Sequence, residues 1–161
     1  MSQINPYENF LDERPLETIL AATPNVIGDY LEVLGPRQST NPAPGKWSAA
    51  EIVSHLADCE IVFAFRLRQT LAEDNPTIQP FDQEKWAVQY PGVQAALALE
   101  CFSALRKWNL LLIQSASPSA AGRIMTHPER GTMTFQTVVQ TMAGHDLNHL
   151  AQLHRLAELP A

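Results

Sequence analysis

Four long blocks of this chain bring an apolar residue back every three or four positions, and proline and glycine separate each block from the next. Spacing of that kind puts the apolar side chains of a block on one face of a helix, and such a face is buried only against other helices. The first block covers roughly residues 15–34, with Ile27, Tyr30, Leu31 and Leu34 on one face. Thr23-Pro24 inside it reads as a cap followed by a first-turn proline, so a short lead helix is expected to break there. A proline- and glycine-rich loop (GPRQSTNPAPGK, 35–46) follows.

The second helix has the clearest start. Ser48 can cap the amide of Glu51 while Glu51 reaches back to Ser48, and Trp47 can pack on Ile52 as a hydrophobic staple. Its stripe of Ile52, Leu56, Cys59, Phe63 and Leu67 predicts a helix from about Ser48 to Leu71 or Glu73. The third block, about Val93 to Ser115, repeats Leu97, Cys101, Leu105, Trp108 and Leu112. The fourth runs from near Thr134 to about Leu159 along Val138, Met142, His145, His149, Leu153 and Leu156. No block alternates in the manner of a strand. These patterns predict an all-α four-helix bundle with one long crossover between the second and third helices. The connecting segments 74–91 and 118–133 are long for such a bundle, and together they are expected to roof one end.

With 161 residues, 45% of them hydrophobic, the chain is the size of one domain spanning 1–161. Lys+Arg of 11 against Asp+Glu of 17 leaves a formal charge of −6, and no basic cluster offers a phosphate-binding track, which argues against nucleic acid as a partner. No apolar run reaches the roughly 18 residues of a membrane span, and MSQINPYENFLDER lacks the order of a secretory signal. A soluble cytoplasmic protein with no membrane partner is the expectation. Cys59 and Cys101 form no CxxC and are expected to be small, reduced core residues.

Three histidines carry the chemistry. His55 lies beside the apolar stripe of the second helix, and a polar ring there needs a reason. His145 and His149, four apart, stack on one face of the last helix, about 5–6 Å apart at Cβ, where core residues would otherwise sit. They could be unrelated helix residues, since HxxxH alone is a common pattern. A third ring from a facing helix favours a shared ion: neutral imidazoles suit Zn, Ni, Cu and Fe, and three protein ligands with one open position describe a catalytic metal site.

Several neighbours are weaker candidates. Metal-bound histidines usually donate their other N–H to a nearby acceptor; Gln152 and Thr141 share the histidine face, whereas Asp146 and Asn148 point some 100° away from their adjacent rings. Asp58, three residues after His55, could act as a catalytic base or orienting carboxylate, or be a solvated surface group. Glu51 is accounted for by its capping box. His127 and Arg130, in a turn before the last helix, could contact substrate, although a solvated loop explains them as well. His154 is about 500° around the helix from His149 and is not expected to be a ligand. Phe81, Trp86 and Tyr90 are expected to pin the crossover onto the bundle more than to line a substrate wall.

Trp47-Ser48, Glu51, His55-Leu56 and Asp58 on one helix, with Gly144-His145-Asp146-Leu147-Asn148-His149-Leu150-Ala151-Gln152 on the last, resemble the DinB/YfiT-like superfamily. Ala72-Glu73-Asp74-Asn75-Pro76 and Pro80-Phe81-Asp82-Gln83-Glu84-Lys85-Trp86-Ala87 are similar to one of its subfamilies. The resemblance covers about Leu16 to Leu156. It implies an up-down-down-up bundle, three histidines at the positions of His55, His145 and His149 binding a divalent metal, often zinc or nickel, and a homodimer. Members include transferases and isomerases that use low-molecular-weight thiols, and many carry the label of metal-dependent hydrolase.

Three functions follow for a small-molecule substrate. In the first, the ion holds a low-molecular-weight thiol as thiolate, the nucleophilic form, for transfer to a small electrophile. In the second, water takes the same position and the protein is a hydrolase. The third is a non-catalytic module that binds a metal or small ligand, which a fourth protein donor in the open position would favour.

Overall fold

The computed structural model describes residues 4–159, and the outermost positions of the expected 1–161 domain lie outside the described residues. Four long helices dominate: α1 (Leu16–Leu34), α2 (Ala49–Ala72), α4 (Ala95–Ser115) and α5 (Phe135–Glu158). A short α3 (Gln83–Ala87) interrupts the crossover, and an antiparallel hairpin of β1 (Ile124–His127) and β2 (Gly131–Thr134) precedes α5.

Two apolar clusters give the directions of the helices. Ile19 and Leu20 from the start of α1 meet Phe63 and Leu67 from the second half of α2, Ile113 from the end of α4, and Phe135 and Val138 from the start of α5. At the other end Leu31 and Leu34 meet Ala49 and Val53, Ala95 and Ala98, and Leu153. Thus α1 and α5 run one way and α2 and α4 the other, an up-down-down-up bundle.

Local chemistry sets the helix starts. The Glu51 amide donates to Ser48 Oγ at 3.3 Å and the Ser48 amide donates to Glu51 Oε2 at 2.7 Å, which completes the capping box. At α5 the Thr137 amide donates to Thr134 Oγ1 at 3.1 Å.

The expected break at Thr23-Pro24 does not occur: α1 is continuous and contains Pro24. A proline within a helix leaves the carbonyl four residues earlier without its N–H donor, here Leu20, and Arg106 Nη1 of α4 donates to that oxygen at 2.9 Å. The same guanidinium donates to Asp146 on α5 at 2.5 and 3.0 Å and to Glu60 on α2 at 2.7 Å. Asn109 adds a donor to Glu60 Oε2 at 2.8 Å. Arg106 is fully buried, and the two carboxylates outweigh the burial that would otherwise discharge it, holding its pKa above the ordinary arginine value.

This network turns α4 around. Most of the face expected to be buried points outward: Leu97 and Trp108 are 63% and 61% exposed and Cys101 is exposed, whereas Ala95, Ala98, Phe102, Arg106 and Asn109 are buried and, of the expected row, Leu112 still packs on the core. Cys101 is therefore not a core residue, although Cys59 is. The hairpin is a second departure, because its four-residue strands are too short to declare a period. It fastens to the crossover through Thr126, whose amide donates to the Pro76 carbonyl at 2.9 Å and whose carbonyl accepts from Ile78 at 2.9 Å. Two of the three expected aromatics, Tyr90 and Phe81, pin the crossover onto the bundle, whereas Trp86 is 39% exposed and rests on Phe81 within the crossover itself. Tyr90 is buried and donates to Asp58 Oδ2 at 2.8 Å, and Phe81 packs on Trp86 with ring centroids 4.8 Å apart. Among the described residues no helix is long and apolar enough to cross a membrane.

Removing the shared cation leaves two buried carboxylates facing each other. Arg106→Met is expected to cost about 3–5 kcal/mol in urea unfolding; a loss under about 1 kcal/mol would show that the network is dispensable.

Candidate metal centre

His55 comes from the first half of α2, and His145 and His149 from the middle of α5. All three are buried. Their rings converge: His55 Nε2 lies 3.0 Å from His145 Nε2, and His149 Nε2 lies 3.1 Å from the same atom. Two nitrogens each about 2.1 Å from one ion stand about 3.0 Å apart for a right angle and about 3.4 Å for a tetrahedral one, so this spacing fits a common centre. His149 Nδ1 lies 3.0 Å from Gln152 Oε1, which accepts from it and leaves the Nε2 lone pair of His149 facing the other rings. His145 Nδ1 is buried without a partner among the described residues.

A fourth donor stands beneath. Cys59 Sγ is 3.5 Å from His55 Nε2 and 3.9 Å from His145 Nε2. His55, Cys59 and His145 thus form an alternative donor set whose atoms lie within 4.8 Å of one another. The two sets share His55 and His145 and differ in the side on which they close. His55 and His149 border an open pocket of about 580 Å³, while Cys59 does not line it. Burial pushes the Cys59 thiol well above its ordinary pKa, with Asp58 and Glu60 adding to the effect, so it is a neutral thiol without a cation beside it. Two members of the three-histidine set, His55 and His149, line the pocket, against one member, His55, of the alternative set; His145 lies behind them. The spacing His55-x₃-Cys59 repeats that of His145-x₃-His149, a signal the sequence offered and an apolar reading of cysteine passed over.

The pocket wall comes from several elements. Trp47 packs at a tilt against His55 with centroids 5.0 Å apart. Lys46, from the loop after α1, Glu84 of α3 and Arg155 of α5 bring charge to the rim. Tyr7 belongs to an N-terminal strap whose Glu8–Phe10 forms a 3-10 turn, and its ring meets His145 edge-on at 5.0 Å. The strap sits in a notch at Gly144: a Cβ there would collide with the Tyr7 carbonyl oxygen and lie 2.8 Å from the Tyr7 Cβ. Sequence reasoning missed Tyr7 because nothing local in the chain ties a residue so far from α5 to it.

The other candidates lie elsewhere. Asp58 is engaged by Tyr90, and the Thr141 hydroxyl donates to the Thr137 carbonyl at 2.7 Å within its own helix. His127 is only 4% exposed rather than solvated; its Nδ1 accepts from the Glu129 amide at 3.2 Å, and neither it nor Arg130 lines the pocket. The segment 118–133 therefore does not roof the histidines, whereas the crossover does, through α3. His154 is exposed, 3.3 Å from Glu158.

Burial lowers the pKa of all three rings, to about 3 for His55, where His149 adds repulsion; for His145 the other two rings and Arg106 reinforce it, and for His149 the Gln152 contact partly opposes it. The rings are neutral near pH 7, the form that binds metals. In the ion-free protein the unfolded chain takes up protons below about pH 6.5 while the folded chain does not. Stability is full above that value and falls as the pH drops from about 6.5 toward about 3. Urea midpoints between about pH 8 and about pH 4 should show this decline, and less of it in His55→Ala; parallel curves would refute it.

Comparison with known proteins follows the same lines. A sequence family described as the DinB superfamily matches residues 10–153. A protein of Oceanobacillus iheyensis, provisionally named a metal-dependent hydrolase, is 30% identical over 74% of this chain and 70% of its own. A Bacillus mycoides protein of the same provisional name is 28% identical over 84% of this chain and 79% of its own. YfiT from Bacillus subtilis, a four-helix bundle of unusual topology, superimposes with a TM-score of 0.82 at 20% identity, over 91% of this chain and 90% of that one. At that identity the likeness speaks for the fold.

Proposed function

The chain belongs to the DinB superfamily, and from that premise we propose that it is a divalent-metal-dependent enzyme acting on a small molecule, with His55, His145 and His149 as the ligands. The observation that carries this reading is the meeting of three Nε2 atoms, 3.0 and 3.1 Å apart through His145, at the edge of an open pocket. Zinc and nickel are the ions we propose for an imidazole set of this kind.

A divalent ion held by His55, His145 and His149 would supply Lewis acidity toward a nucleophile entering from the pocket. The chain's residues do the rest. Gln152 holds His149 in the tautomer that presents Nε2, Trp47 walls His55, and Glu84 is the carboxylate at the rim able to take a proton. The provisional names of the relatives support water as the nucleophile and hydrolysis as the reaction. A low-molecular-weight thiol, used as thiolate against a small electrophile, is the second reading; the pocket of about 580 Å³ supports it by leaving space for two small reactants. A cytoplasmic setting agrees with two unpaired cysteines.

Elemental analysis of protein purified without a metal-affinity tag should give near-stoichiometric metal, lost in His55→Ala, His145→Ala and His149→Ala. Cys59→Ser should keep it; loss in Cys59→Ser with retention in His149→Ala would assign the ion to the other donor set. Ester hydrolysis by the loaded protein without thiol favours the hydrolase, and turnover only with thiol favours the transferase.

We also propose a homodimer formed on the outward row of α4, Leu97, Cys101, Trp108 and Leu111, too apolar to be indifferent to water. Light scattering should give twice the chain mass for the parent and the single mass for Trp108→Glu; a monomeric parent ends this proposal.

A further inference from the structure

We propose that Tyr7 is a ligand-contacting residue of this site, its phenol donating a hydrogen bond to a small anion held on the pocket side of the three histidines. The inference rests on the metal reading above and adds a group that neither the histidine pattern nor the family match contains, since the matched residues begin at 10.

Four observations converge on it. Tyr7 lines the same pocket as His55 and His149. Its ring packs edge-on against His145 at a centroid separation of 5.0 Å and tilts against Phe10 at 6.4 Å, so the side chain is held from two sides. The backbone is held as well: its amide donates to Asn5 Oδ1 at 3.0 Å, its carbonyl accepts from the Phe10 amide at 3.0 Å, and the Gly144 notch admits the strap with no room for a Cβ. Yet the phenol oxygen has no hydrogen-bond partner among the described residues, whereas the other tyrosine near the site, Tyr90, is spent on Asp58. Tyr7 is half-buried, so its hydroxyl is left free for a ligand in the pocket, and a positioned, unspent donor beside a cation site is an arrangement suited to an anion.

Gly144 makes the inference testable without touching a ligand or the phenol. Its methyl substituent would push the strap, and Tyr7 with it, off α5. The measurement is azide binding to the Co(II)-loaded full-length protein, followed by the visible absorption of cobalt. Tyr7→Phe is expected to weaken azide about tenfold, the lower end of what a hydrogen bond to a charged group is worth, with Co(II) affinity within about twofold of the parent. Gly144→Ala should weaken azide at least as much. Azide affinity unchanged in Tyr7→Phe overturns the proposal, as does a cobalt-loaded parent that takes no azide. A parent that takes no Co(II) fails earlier, at the metal reading, and the two failures are distinguished by the cobalt spectrum alone.

Discussion

One guanidinium holds the four helices in register. Arg106 of α4 reaches the Leu20 carbonyl of α1, Glu60 of α2 and Asp146 of α5 at once. A buried ion cluster is a poor source of net stability compared with apolar packing, but it tolerates little misalignment, because any slip leaves a charge unpaired. Asp146 follows His145 directly, so clamping its carboxylate fixes the rotation of α5 and thereby aims the imidazole on the adjoining face. Pro24 belongs to the same device. By withholding a donor from Leu20 it frees the oxygen that Arg106 uses, and a residue that commonly breaks helices becomes part of an interhelical joint.

Much of this was legible in the chain and some was not, for physical reasons. α2 and α5 were readable because their signals are local: a capping box at Ser48 for α2, and apolar residues at helical spacing for both. The bundle and the three histidines followed from the same periodicity. Pro24 misled because its cost is cancelled by a side chain 82 residues away, and no local pattern reports that. α4 misled because hydropathy assigns Arg106 and Asn109 to solvent, when their partners on other helices take them inside. The short strands carry too few residues to show a period. Tyr7 reaches the histidines only through tertiary contact, whereas Cys59, one turn from His55 on the same helix, is passed over when cysteine is read as an apolar residue.

The centre gathers polar atoms where the surrounding residues are apolar. Three neutral rings, a His145 Nδ1 with no partner among the described residues and an uncharged thiol stand together, and apart from the His149–Gln152 contact they have given up water for little in return. A divalent cation satisfies several of these lone pairs at once, and its binding energy is then also folding energy. With the proposed ion bound, the seam between α2 and α5 would gain cohesion from it, while the Arg106 cluster aligns the helices without it.

Parallel packing of α2 and α4 obliges the chain to travel back along the bundle after Ala72. A 24-residue helix is about 36 Å long, a distance that an extended chain covers with about 11 residues, roughly half of what lies between Ala72 and Ala95. The surplus is what folds into α3 and carries Glu84 to the rim. Apart from the residues that pin it, Ile78 and Tyr90 among them, the return path is spare material as far as the bundle is concerned, and the rim can be redrawn at its exposed positions while the helix contacts are left as they were.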